Sequence, residues 1–141
     1  MEPGPNEQQL EQLVQLAEQL KLAGNKALKS GVNVEAEKLY TKAIEALVPT
    51  KLCAAKLLSQ VYSNRAAVRL LRGAHAEAVD DCRKSIDADA SNMKAYWRAS
   101  KGSLNLDLFE QALKFANDGL SVDSSNSDLQ EVASLSSAKL E

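Results

Sequence analysis

The sequence predicts an all-α protein, a short α-solenoid of stacked helix pairs closed by one further helix. Three observations predict it. Apolar residues return at intervals of three and four along most of the chain, and no segment reads as a strand. Only 4% of the 141 residues are aromatic although 45% are hydrophobic, so leucine and alanine must do most of the packing, which suits close helix–helix contact. Finally, small residues recur in phase: Ala36-Tyr40-Ala43, Ala78-Cys82-Ser85 and Ala112-Ala116-Gly119. The step from Ala78 to Ala112 is 34 residues, and that from Ala36 to Ala78 is 34 plus eight. Two helices alone cannot bury such faces, so the copies must stack on one another.

Taken in order, residues 1–6 are short and Pro/Gly-rich and are expected to be disordered up to Asn6. Asn6 can cap a helix, with Gln9 at the reciprocal position of a capping box. Leu10, Leu13, Ala17, Leu20 and Gly24 then carry a helix from Glu7 to Lys29, which Ser30-Gly31 stops. A second helix over Val34–Leu47 presents Ala36, Leu39, Tyr40, Ala43, Ile44 and Leu47, and ends at Pro49. A long third helix is predicted over Thr50–Leu71, a fourth over His75–Asp87, a fifth over Met93–Leu104 and a sixth over Phe109–Leu120. The Ser/Asp/Asn-rich stretch 121–127 precedes a seventh, Asp128–Lys139. The surplus eight residues, Lys51 to Leu58, are about two helical turns, so they can lengthen the third helix while nearly preserving its phase. Residues 7–141 are expected to form one domain.

Composition excludes several functions. A net charge of −2 offers no global attraction for nucleic acid or anionic membrane. No apolar run approaches the ~18 residues of a membrane span, and the N-terminus does not read as a signal peptide; a soluble, cytoplasmic, monomeric protein is expected. Cys53 and Cys82 have no CxxC spacing and no histidine nearby, and both fall on apolar helix faces, so buried reduced thiols are expected rather than a disulfide or metal site. There is no Ser/His/Asp arrangement, metal-ligand spacing or phosphate loop. No cofactor, metal or catalytic residue is expected, and His75 reads as a surface residue of a turn.

The phased residues resemble the tetratricopeptide repeat family. Repeat one spans 17–50, with Leu20, Gly24, Ala36, Tyr40 and Ala43 at the family's motif positions. Repeat two spans 59–92, with Tyr62, Ala66 and Ala78, and with Cys82 where an aromatic is usual. Repeat three spans 93–126, with Tyr96, Ser100 and Ala112, and is degenerate at Ala116 and Gly119. The resemblance implies three repeats in a right-handed superhelix, the insertion 51–58 between the first two, and a capping helix at 128–139.

It also implies a site. In this family the first helix of each pair lines a concave groove, which here collects Lys21, Lys29, Lys94, Arg98 and Lys101 against Glu18 alone. The run from Lys21 to Asn25, the run from Ser63 to Ala67 and the run from Lys94 to Arg98 are similar to the dicarboxylate clamp of chaperone-binding members. Residue by residue, the clamp falls on Lys21, Asn25, Asn64, Lys94 and Arg98. Residues four apart share a helix face, so Lys21 with Asn25 and Lys94 with Arg98 make two donor pairs with Asn64 between them. Charge-assisted donors of this kind suit the two carboxylates of a C-terminal aspartate. Leu28, Lys29, Ala67, Leu71, Trp97 and Lys101 are expected as additional groove contacts, Trp97 being equally suited to inter-helix packing. Arg65, beside Asn64, reads as a structural ion-pair partner.

The expected function is therefore that of a co-chaperone adaptor, not an enzyme. It would bind the Glu-Glu-Val-Asp tail of cytosolic heat-shock chaperones of the ninety- or seventy-kilodalton class. Two alternatives stand beside it: a scaffold that grips an internal segment of another protein, and the targeting module of a larger enzyme.

Overall fold

Seven α-helices and one 3-10 helix account for almost all of residues 3–141, the part of the chain that the computed structural model describes. They are α1 (Glu7–Lys29), α2 (Asn33–Leu47), α3 (Ala55–Leu71), α4 (His75–Ala88), α5 (Met93–Asn105), α6 (Phe109–Val122) and α7 (Ser127–Leu140). The described residues contain no strand. The expectation of disorder over residues 1–6 falls partly outside the described residues, at Met1 and Glu2.

Helix α1 begins where its capping chemistry requires. Asn6 Oδ1 accepts from the Gln9 N–H at 2.8 Å, and Gln9 Oε1 accepts from the Asn6 N–H at 2.9 Å, the reciprocal box the sequence suggests. Asn126 does the same job for α7, accepting from the Leu129 N–H at 3.0 Å. Each helix pair is joined by the same tight turn. Gly31, Gly73 and Asp107 take positive φ angles of 77°, 81° and 57°. The amide after each reaches back five residues: Val32 to Ala27, Ala74 to Arg69 and Leu108 to Ser103, at 2.8–2.9 Å. These are Schellman closures. They fall at residues 31, 73 and 107, so the backbone repeats with the same 42- and 34-residue steps as the alanines.

Successive helices pack on one another, with α1 on α2, α3 on α4, α5 on α6 and α7 on α6. Contacts of α3 with both α1 and α5, and of α5 with α7, place these helices side by side along one surface of the stack. Alanines with no exposure sit at the crossings: Ala17, Ala36, Ala43, Ala66, Ala78, Ala99, Ala112 and Ala116. The apolar core divides into three clusters that follow one another along the chain. One is built around Tyr40 and Leu47, one around Cys82 and one around Tyr96 and Leu129.

Two expectations need correction. The segment after α2 is not the start of a long α-helix: Val48–Ala54 is a 3-10 helix, and α3 begins only at Ala55. Pro49 has no N–H to give to an α-helical ladder, the Thr50 hydroxyl donates to the Leu47 carbonyl at 2.6 Å, and Ala54 (φ −133°, ψ 41°) breaks the path before α3. Only the last residues of the insertion lengthen a helix. As a result Cys53 is exposed rather than packed, whereas Cys82 is buried as expected. Burial pushes the Cys82 thiol up to about 12, which keeps it protonated and inert.

Candidate peptide-binding groove

A cleft of about 710 Å³ opens along α1, α3 and the start of α5. Lys21, Asn25, Leu28 and Lys29 line it from α1, Lys56, Gln60, Ser63 and Asn64 from α3, Asp89, Ser91 and Asn92 from the α4–α5 connection, and Met93 and Lys94 from the start of α5. Four residues of the expected set, Lys21, Asn25, Asn64 and Lys94, thus face one space. The fifth, Arg98, reaches its wall: Arg98 Nη1 donates to the Ser63 carbonyl at 2.9 Å and to Ser63 Oγ at 2.7 Å.

The site is organised from the packing upward. Gly24 is buried, and a Cβ there would lie 2.5 Å from Tyr40 Cε1. Its lack of a side chain lets the Tyr40 ring lie flat against α1. The ring then delivers its hydroxyl to Asn25 Oδ1, which also accepts from Asn64 Nδ2 at 3.1 Å. Burial raises the Tyr40 phenol above its ordinary value, so the hydroxyl stays a donor. Both acceptor positions of the Asn25 carbonyl are thereby used, and its Nδ2 donors are what remain for a ligand.

The cations differ in how far the fold satisfies them. Lys21 Nζ lies 2.9 Å from Glu18 Oε1 and donates to Gln60 Oε1 at 3.1 Å. Lys94 is exposed and has no ion pair among the described residues. Arg98 is half-buried and bonds only to neutral oxygens, so burial depresses its pKa, and nearby Cys82 and Tyr40 offset this only in part. An arginine stays charged at neutral pH even so. A guanidinium drawn out of water without a carboxylate is incompletely compensated. An anion entering the cleft would compensate it.

Arg65, one residue from Asn64, points the other way and is fully engaged. Its Nε and Nη2 bind the two oxygens of Asp81 at 2.9 and 2.7 Å, and Nη1 donates to Thr41 Oγ1 at 3.2 Å. Asp81 has no exposure and also accepts from Arg69 at 3.0 Å, while Glu37 bridges Arg69 and Arg72. The structural role expected of Arg65 is the one it has.

Among the additional contacts, Leu28 and Lys29 line the cleft, whereas Ala67, Leu71, Trp97 and Lys101 lie outside it. Leu71 is 67% exposed at the end of α3, and Trp97 is 37% exposed with Lys101 Nζ 5.9 Å from its ring centroid. His75 opens α4 beside Asn105. The sequence reading missed Lys56 and the Asp89–Asn92 connection. Neither belongs to the first helix of a repeat as the 34-residue register counts it. For Lys56 the signal is the i, i+4, i+8 spacing of Lys56, Gln60 and Asn64; the connection carries no comparable one. The described residues hold no cluster of acidic, histidine or cysteine side chains able to bind a metal, and no helix is long and apolar enough to cross a membrane.

No family model matches the chain. It is 30% identical over 98 residues to the Hsp70/Hsp90 co-chaperone CNS1 of Saccharomyces cerevisiae, across 70% of this chain and 24% of that protein. It is 35% identical over 125 residues to the small glutamine-rich tetratricopeptide repeat-containing protein 2 of Mycosarcoma maydis, across 88% of this chain and 33% of that one. The chain thus spans a third or less of these curated relatives. Among solved structures, the first tetratricopeptide domain of Spaghetti (RPAP3), bound to the HSP90 peptide SRMEEVD, superimposes with a TM-score of 0.78 at 28% identity, covering 90% of this chain and 97% of that one.

Proposed function

From the premise that this chain has the tetratricopeptide-repeat fold, we propose that residues 7–141 form one such domain and act as a chaperone-binding adaptor. Its concave cleft takes the C-terminal Glu-Glu-Val-Asp segment of a heat-shock chaperone of the ninety- or seventy-kilodalton class. The observation that carries this reading is Arg98, a half-buried guanidinium that bonds only to neutral oxygens. Around it stand Lys94, Lys21 and two asparagines whose mutual bond leaves donors for a ligand.

In this reading the terminal aspartate presents two carboxylates to five residues. Lys21, Asn25 and Asn64 hold one of them, and Lys94 with Arg98 hold the other. Arg98 then exchanges an imperfect neutral environment for a charge-assisted bond, roughly twice as strong as a neutral one. Two features support it besides the geometry: the relative CNS1 is described as an Hsp70/Hsp90 co-chaperone, and the superimposable Spaghetti domain was solved with a peptide ending in Glu-Glu-Val-Asp. The cytoplasmic location and monomeric state expected from the sequence belong to the same proposal.

Calorimetry with the peptide SRMEEVD tests it. Wild type should bind, and Lys94→Ala and Arg98→Ala should each lose about 2–5 kcal/mol of binding energy. Unchanged affinity in both variants would show that the cleft is not the site.

A further inference from the structure

Lys56 is a cation of the cleft that the repeat register does not assign. It lies in the first turn of α3, where the positive end of the backbone dipole disfavours a cation. It is exposed, has no ion pair within 4 Å among the described residues, and lines the same cleft as Lys21 and Lys94. Lys56, Gln60 and Asn64 follow one another at intervals of four, so they form a single stripe down the groove face of α3. Gln60 is already tied to Lys21, which makes the stripe continuous with the α1 donors.

Opposite the start of this stripe lies the α4–α5 connection, and it is fixed in place. Asn92 Nδ2 donates to Ser59 Oγ at 3.0 Å, within the buried Ser59–Ser85 pair that joins α3 to α4. Asp89 accepts from the Ser91 N–H at 3.0 Å and the Ser91 hydroxyl at 2.6 Å. Those bonds, and to a lesser degree the field of Lys56, hold the Asp89 carboxyl below its usual range. An Asp89 carboxylate that favours its charged form therefore stands in the cleft near Lys56, beyond the 4 Å of an ion pair.

We propose that Lys56 is a sixth ligand-reading cation of this groove, selecting peptides whose acidity extends beyond the terminal residue, and that Asp89 limits its pull. This rests on the carboxylate-binding reading above. Lys56 adds a long-range attraction for a carboxylate of the bound segment, and Asp89 repels the same carboxylate. Sequence variation at these two positions would then tune affinity without touching the five residues that hold the terminus.

The test titrates SRMEEVD and SRMQQVD against wild type, Lys56→Gln, Asp89→Asn, the double variant and Arg98→Ala, at two salt concentrations, with thermal melts as a folding control. Lys56→Gln should weaken SRMEEVD about three- to fivefold and flatten its salt dependence, leaving SRMQQVD nearly unchanged. Asp89→Asn should tighten SRMEEVD, and that gain should vanish in the double variant. An equal loss for both peptides would place the reading at the terminal aspartate and overturn the selectivity. If Arg98→Ala loses binding while Lys56→Gln matches wild type, the inference about Lys56 fails and the clamp stands. If wild type does not bind, or Arg98→Ala binds as wild type does, the clamp reading fails and takes this inference with it.

Discussion

Asn64 and Arg65 are neighbours on α3, yet they serve opposite sides of the molecule. Behind α3, Arg65, Arg69 and Arg72 meet Asp81, Glu37 and Glu77, and every guanidinium has a carboxylate. In front of it, Arg98 and Lys94 have none among the described residues. The same residue types are therefore at work under two regimes. On the back, charge is neutralised within the fold and ties α2, α3 and α4 together. On the front, Lys21 is paired with Glu18, but the charges of Arg98 and Lys94 are positioned by the fold and left to be neutralised from outside. The comparison separates stability from binding by a single helix.

The largest expected effect lies on the back. Asp81→Ala strands Arg65 beside a buried gap, leaves Arg69 only Glu37 and Glu77, and should cost about 3–5 kcal/mol in urea denaturation. Peptide affinity, where the variant still folds, should change far less. On the front, Arg98→Met should invert that pattern: binding of SRMEEVD falls sharply, while stability stays level or rises because an incompletely compensated charge has been removed. A stability loss as large as that of Asp81→Ala would erase the distinction between the two faces.

Gly24→Ala probes how the core supports the front. A methyl group 2.5 Å from Tyr40 Cε1 forces the ring to move. The expected cost is about 1–3 kcal/mol, accompanied by weaker peptide binding, because Asn25 loses the hydroxyl that orients it. Tyr40→Phe should affect binding more than stability if that orientation matters.

The smallest effect is a pH dependence contributed by Glu37 on the back. The hydrogen bond from Arg72, aided by Arg69, holds Glu37 below its ordinary value of 4.5 despite partial burial. A depressed carboxylate contributes stability above its unfolded pKa and loses it as pH falls through the folded one. Thermal melts should therefore show an acid-induced loss beginning near pH 4.5, and Glu37→Gln should reduce it. An identical acid limb in that variant would remove Glu37 from the account.

How legible this was varied with the kind of signal. Helix α1 could be read from Glu7 to Lys29 because capping residues, periodicity and a terminal glycine agree locally. The turns could be placed because Gly31 and Gly73 are needed at positive φ. The start of α3 could not: Pro49 marks a break, but nothing in the residues 51–54 distinguishes a 3-10 turn from the first turn of an α-helix. Of the site, the i, i+4 pairs Lys21/Asn25 and Lys94/Arg98 were visible as spacing. The Tyr40–Asn25–Asn64 chain was not, because it joins residues 15 and 39 apart across three helices. Lys56 was hidden by the register itself, since counting in units of 34 sets the intervening residues aside.

The claim at the centre is that the front of α3 awaits a carboxylate. Its most direct test is a titration of wild type with SRMEEVD as the free acid and as the C-terminal amide, side by side. Removing the terminal charge should weaken binding at least tenfold, on the order of 1.4 kcal/mol or more. Equal affinities would contradict the account, because the unpaired cations of the groove would then be recognising something other than a chain end.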